Sequence, residues 1–295
     1  MSTATENVWL ITGTSSGFGR ELTLQVLARG DKVIATARDT SKLSDLVSKG
    51  AHALTLDVTS PPEQIQKVIG EAIAVYGRID ILVNNAGYLI EGAVEETSHE
   101  ETLRMWTTNV FGMLNVTNAL LPHLRSRRTG TIANLGSIGG YAGMAGAGPY
   151  CVTKWAVAGY SESLHAELTP LGITVICIEP GYFRTDFLKP GNRQFTKNRI
   201  ADYDATAGAV RDILNQVDRN QPGDPVKGVK VMIDIITKTG VAEGRELPVR
   251  ITLGSDSFEW VRRQAETNLK LLEDWGDVIK STDHDDVKAQ GPGAH

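Results

Sequence analysis

The chain has 295 residues, 41% of them hydrophobic and 22% charged, with a formal net charge of −5. That size allows one large α/β domain or two small ones, and the acidic balance argues against a nucleic-acid or anionic-membrane partner. Only two cysteines occur, Cys151 and Cys177, which excludes a disulfide framework and suits a reducing compartment. The N-terminal M-S-T-A-T-E-N lacks a basic patch and apolar run of signal-peptide form, and no apolar run nears bilayer length. A cytoplasmic protein with no membrane span is expected.

In chain order, Val8–Thr12 is an apolar run suited to a buried strand, and Phe18–Arg29 has helical spacing at Leu22, Val26 and Leu27, closed by Gly30. Lys32–Ala37 reads as a strand, Ser41–Lys49 as a short helix and Ala53–Leu56 as a third strand. Ser60-Pro61-Pro62-Glu63 opens a helix with Ser60 as N-cap. Ile79–Val83 is a fourth strand, and a capping box at Ser98 and Glu101 starts one long helix toward Leu124. Thr131–Leu135, a helix from Pro149 to Leu168, and Thr174–Ile178 complete six strand–helix alternations. Residues 186–224 break the alternation and read as a loop-and-short-helix insertion over the rim. Val226–Ile236 returns to helix, Val249–Leu253 makes a seventh strand, and Asp256–Trp275 is a long helix. Its apolar stripe, from Phe258 through Val261, Ala265, Leu269 and Leu272, is expected to cover the sheet.

This order implies a single-domain α/β Rossmann fold over 1–281, a doubly wound parallel seven-stranded sheet with helices on both faces, then a polar, disordered tail at 282–295. Ligands of such sheets sit beyond the carboxyl ends of the strands. Gly13, Arg38, Asp57, Asn84, Ser137 and Pro180 all follow predicted strands, so residues scattered along the chain share one rim.

Gly13-Thr14-Ser15-Ser16-Gly17-Phe18-Gly19 joins the first strand to the first helix. Glycines there let backbone approach a pyrophosphate at a helix N-terminus. The same residues also spell G-x-S-x-G, a hydrolase nucleophile elbow at Ser15, but no later histidine follows a strand as that triad requires. The second strand ends Thr36-Ala37 without a carboxylate, and Arg38 follows; a guanidinium there suits a 2′-phosphate, so NADP is expected over NAD. Tyr150 and Lys154 stand one helical turn apart, with Ser137 thirteen residues earlier. An ammonium group at that spacing favours the phenolate, which predicts a tyrosine tuned toward neutral pH for general acid–base work. No His/Cys/Asp/Glu cluster has metal-ligand spacing.

These residues together resemble the short-chain dehydrogenase/reductase family, NADP-preferring type, over residues 8 to 185. The resemblance is carried by T-G-T-S-S-G-F-G at 12–19, N-N-A-G at 84–87, Asn109, Ser137 with Y-C-V-T-K at 150–154, and P-G-Y-F-R-T at 180–185. It implies that Tyr150 donates or accepts the proton, Ser137 holds the substrate oxygen, Lys154 lowers the tyrosine pKa and binds the nicotinamide ribose, and Asn109 anchors a relay water. It also implies that Gly13, Gly17, Phe18 and Gly19 form the phosphate loop. Asp57 with Val58 would meet the adenine, Asn84, Ala86 and Gly87 the adenine-ribose side, and Phe183 and Thr185 the nicotinamide carboxamide. Ser15, Ser16 and Arg38 match the pattern for a 2′-phosphate. Members commonly pair through the two long helices, so a homodimer or homotetramer is expected, and Trp155 and Tyr160 face either a partner or the core.

Tyr141, Met144, Phe187 and Phe195 would make an apolar mouth, favouring a hydrophobic ketone, aldehyde or secondary alcohol. An isomerase or cyclase on the same fold, or a non-catalytic NADP sensor, are the alternatives. Cys151, beside the tyrosine, reads as a packing residue.

Overall fold

The computed structural model describes residues 6–284. Seven strands form one parallel sheet in the order β3-β2-β1-β4-β6-β7-β9. The first half comprises β1 (Val8–Ile11), α1 (Gly17–Ala28), β2 (Lys32–Ala37), α2 (Ser44–Ser48), β3 (His52–Thr55) and α3 (Pro62–Tyr76). Next come β4 (Ile81–Asn84), β5 (Leu89–Glu91), α4 (His99–Trp106), α5 (Met113–Arg127), β6 (Gly130–Leu135), α6 (Gly148–Leu168) and β7 (Ile173–Pro180). The last section holds β8 (Arg193–Phe195), α7 (Ala209–Val217), α8 (Pro225–Thr237), β9 (Arg250–Leu253) and α9 (Ser255–Lys280).

The central strand β1 is apolar at every position because both sheet faces are covered. Along β1, Trp9 and Ile11 pack with Leu22, Val33 and Val229 on one face, while Val8 and Leu10 pack with Ile34, Ile65, Leu82 and Leu120 on the other. Each such buried side chain contributes about 1.5–3 kcal/mol. Trp9 also satisfies its indole N–H on Asp31, at 3.0 Å. The single-domain Rossmann architecture is therefore the observed one.

Several local expectations change. The third helix begins at Pro62 after Pro61 in extended backbone, and Ser60 provides no cap. The capping box of Ser98 and Glu101 is present in α4, and the long helix runs on from it through α5 in helical backbone with one change of hydrogen-bond register. A π-helical stretch, Thr107–Gly112, separates α4 from α5. The insertion contains more order than a loop. Its strand β8 pairs with β5 in parallel, Leu89 opposite Arg193, and α7 follows. The apolar stripe of α9 does not cover the sheet: Phe258, Leu269 and Leu272 are exposed, and Ser257 is the buried residue of that helix. At about 1.5 Å per residue the 26-residue helix outruns the four-residue strand β9 beside it. Residues 285–295 of the expected polar tail lie outside the described residues.

The insertion is latched by charge. Glu91, fully buried on β5, accepts Arg193 Nε at 2.6 Å and Arg211 Nε at 2.6 Å, and Arg193 also donates to Asn215 at 2.9 Å. Removing the carboxylate leaves two guanidinium groups facing each other, so Glu91→Ala should lose about 3–5 kcal/mol of local stability. Limited proteolysis would read this as new cleavage within 186–224; an unchanged digestion pattern and melting temperature would show the latch to be dispensable.

Candidate active site

The turn from β1 to α1 is built for a close-approaching anion. Gly13 has φ 69°, and a Cβ there would lie 2.9 Å from Ala86 Cα. Gly17 has φ 57°, with open space beside it toward Thr185 Cβ at 3.8 Å. Ser16 precedes α1 in extended backbone, makes no side-chain cap, and no acid occupies the first turn. Unpaired N–H groups and the positive end of the helix dipole are thus left for a ligand. A Cβ on Gly19 would collide with Asn85 Nδ2 at 2.4 Å. That amide donates to Thr12 O at 2.9 Å and Gly13 O at 3.0 Å, while Thr12 Oγ1 accepts from the backbone of Asn85 and Ala86. The phosphate loop and the N-N-A-G turn are therefore one locked unit.

From this loop a cavity of about 700 Å³ extends both ways. One end meets Ser15, Ser16, Arg38, Asp57 and Val58. Arg38 is exposed. Asp39, which could neutralise it, instead accepts from the backbone and hydroxyl of Ser41, and those bonds hold its carboxyl below the usual range. Asp57 is similarly tied to Thr59, at 2.9 Å and 2.7 Å. Ala86 and Gly87 line the middle.

At the other end Ser137, Tyr150, Lys154, Phe183 and Thr185 line the same cavity. Lys154 is buried and donates from Nζ to Leu135 O at 2.6 Å. Burial lowers its pKa to about 8. Tyr150 is also buried, and desolvation pushes its phenol above the ordinary range, with the Ser137 hydroxyl pulling the other way. Lys154 Nζ lies 5.8 Å from the tyrosine ring centroid, engaged elsewhere. In this geometry burial dominates, and the phenol is not brought toward neutrality as the spacing suggested. Phe183 is held edge-to-face by Phe18, centroids 5.1 Å apart. The substrate side is apolar, with Met144, Ala147, Tyr182, Phe187, Leu188 and Leu214 packed around Tyr150.

Three expected residues sit behind the wall. Asn84 turns inward, donating to Thr117 at 2.9 Å and Asn134 at 2.8 Å, because strand alternation gives the cavity to Asn85. Gly19 packs the loop rather than lining the space. Asn109 lies in the π-helical stretch, with its amide exchanging bonds with the Tyr88 backbone at 3.0 Å and 2.9 Å. Sequence reasoning missed Asn192, which ties the insertion to the phosphate loop by donating to Ser16 Oγ at 3.3 Å, and Gln221, buried in the cavity wall. Neither falls in a motif. The glycine cradle, uncapped helix and elongated cavity fit a nicotinamide dinucleotide. Among the described residues no group of acidic, histidine or cysteine side chains could hold a metal ion, and no helix is long and apolar enough to cross a membrane.

The comparisons agree with that fit. A family model described as short chain dehydrogenase matches residues 7–195. Oxidoreductase BOA17 of Botryotinia fuckeliana is 32% identical over 92% of this chain and 97% of its own length. A 3-ketodihydrosphingosine reductase of Bacteroides thetaiotaomicron is 38% identical over 72% of this chain and 77% of its own. The crystal structure of a short-chain dehydrogenase from Streptomyces avermitilis superposes with a TM-score of 0.86 at 37% identity, covering 95% of this chain and 100% of that one. Structures less than 25% identical that share the fold hold NADP or NAD. The chain belongs to the short-chain dehydrogenase/reductase family of nicotinamide-dependent oxidoreductases.

Proposed function

We propose that the protein is an NADP(H)-dependent reductase of a hydrophobic ketone or aldehyde, or dehydrogenase of the matching secondary alcohol, with Tyr150 as proton donor or acceptor. The observation that carries this is the convergence of Ser137, Tyr150 and Lys154 at one end of a cavity whose other end is a phosphate cradle. The bound nicotinamide supplies or takes up the hydride. The Ser137 and Tyr150 hydroxyls hold the substrate oxygen where charge develops, and Tyr150 Oη passes the proton that completes the alcohol. Lys154, buried in the cavity wall, would bind the nicotinamide ribose hydroxyls and act on the phenol through its charge. Asn109, in a π-helical stretch whose carbonyls are offset from the ordinary ladder, would hold the relay water.

Arg38 is the basis for preferring NADP, supported by Ala37 at the strand end and by a neighbouring Asp39 already engaged. The apolar wall of Met144, Phe187, Leu188 and Leu214 supports a hydrophobic substrate, as does the ketone reductase among the relatives. Exposed Trp155 and Tyr160 on α6 support a homodimer or homotetramer, and two buried free cysteines suit a cytoplasmic location.

Tyr150→Phe should lower turnover about 10²-fold or more while NADPH binding, read by fluorescence titration, is unchanged. A panel of hydrophobic ketones and aldehydes, followed by NADPH and NADH oxidation, checks this; near-normal turnover in the variant would remove the tyrosine from the mechanism. Arg38→Ala should lower kcat/KM for NADPH by about 10–100-fold, the equivalent of one charge-assisted hydrogen bond, with NADH little changed. An unchanged ratio between the two cofactors would overturn the NADP assignment.

A further inference from the structure

The buried end of β7 carries a charge that the proton-transfer group does not account for. Glu179 is fully buried immediately before Pro180. Arg250, on β9 and beyond the residues matched by the family model, forks onto it: Nε donates to Oε2 at 2.9 Å and Nη2 to Oε1 at 2.7 Å. The same Nη2 donates to Gly140 O at 3.2 Å, and the guanidinium lies over the Tyr141 ring at 4.3 Å. The backbone between β6 and α6 has been pressed onto this carboxylate. A Cβ on Gly136 would lie 2.6 Å from Glu179 Cγ, and one on Gly140 would lie 2.9 Å from Glu179 Oε1 and 3.1 Å from Lys154 O. Those two glycines bracket Ser137, and Gly136 follows Leu135, whose carbonyl receives Lys154 Nζ.

We propose that Glu179, forked by Arg250, is a positioning residue for the reaction, fixing the segment that carries both Ser137 and the Leu135 carbonyl on which Lys154 Nζ is held. This rests on the roles given above to Ser137, Tyr150 and Lys154. The groups facing Glu179 are Arg250 from β9, Tyr141 from the segment after β6, Lys154 and Glu162 from α6, and Cys177 on its own strand. Glu162 also accepts from Arg250, at 3.2 Å. Burial pushes the Glu179 carboxyl up, and the Arg250 fork opposes this. A carboxylate there favours the ammonium form of Lys154.

Two substitutions separate charge from position. Glu179→Gln keeps the shape and removes the charge. The Lys154 titration, followed by NMR on protein labelled with carbon-13 at lysine Cε and assigned with Lys154→Arg, should fall by about half a unit to one unit. The basic limb of kcat against pH for ketone reduction should fall with it. Arg250→Lys keeps the cation but loses the fork and the Gly140 bond; kcat should drop about tenfold with the NADPH dissociation constant and the Lys154 midpoint unchanged. A Lys154 midpoint and kcat that stay at wild-type values in both variants would overturn the proposal. If Glu179→Gln does not fold, an unaltered kcat in Arg250→Lys overturns it alone. If the wild type reduces no carbonyl, the reaction assignment fails, while the Lys154 midpoint still decides whether Glu179 sets its charge.

Discussion

Everything functional here depends on the reversal of strand order between β1 and β4. From β1 the chain winds outward to β2 and β3, then returns to place β4 on the other side. At that reversal the loops leaving β1 and β4 part, and in the crevice between them backbone N–H groups can meet a ligand without crossing a helix. The bonds from Thr12 to Asn85 and Ala86 hold the two loops at a fixed separation. The turn is therefore rigid before any ligand arrives, which lowers the entropic cost of binding.

The second half of the sheet sets the chemistry against this crevice. Parallel pairing of β6 with β7, and of β7 with β9, brings residues far apart in sequence to one level: Leu135 opposite Ile178, and Ile178 opposite Ile251. The segment after β6 cannot be moved without disturbing either Lys154 or Glu179, since both lean on its glycines and carbonyls. Small residues at 136 and 140 are thus a packing requirement of the Glu179 side chain beside them. Precision at Ser137 follows from close packing, not from the loop's own preferences.

Much of this was legible from local pattern. Strand and helix order, the glycine loop and the cluster of Ser137, Tyr150 and Lys154 all follow from periodicity and spacing, because a doubly wound sheet turns sequence order into a rim. What was not legible depended on partners. The stripe on α9 has correct helical spacing, but spacing does not say how far the neighbouring sheet extends, so Leu269 and Leu272 end exposed. Asn84 and Asn85 are chemically identical, and only the pleat decides which reaches the crevice. Nothing in T-T-N-V-F-G marks a π-helical stretch, nor that its last residue, Gly112, passes so close to Val58 that a side chain there would approach Val58 Cβ to 2.9 Å. The ordering of the insertion rests on Glu91 finding Arg193 and Arg211 more than a hundred residues away, which no local window contains.

The discrepancy at Tyr150 has a physical cause. A phenol near a lysine was expected to approach its anion, yet burial dominates both groups and moves them oppositely, the phenol up and Lys154 down to about 8. Near neutral pH this leaves the tyrosine in its acid form and the lysine still mainly protonated. Ionising the phenol would place a charge in a dry site, which is why burial and not the neighbouring ammonium sets its state here.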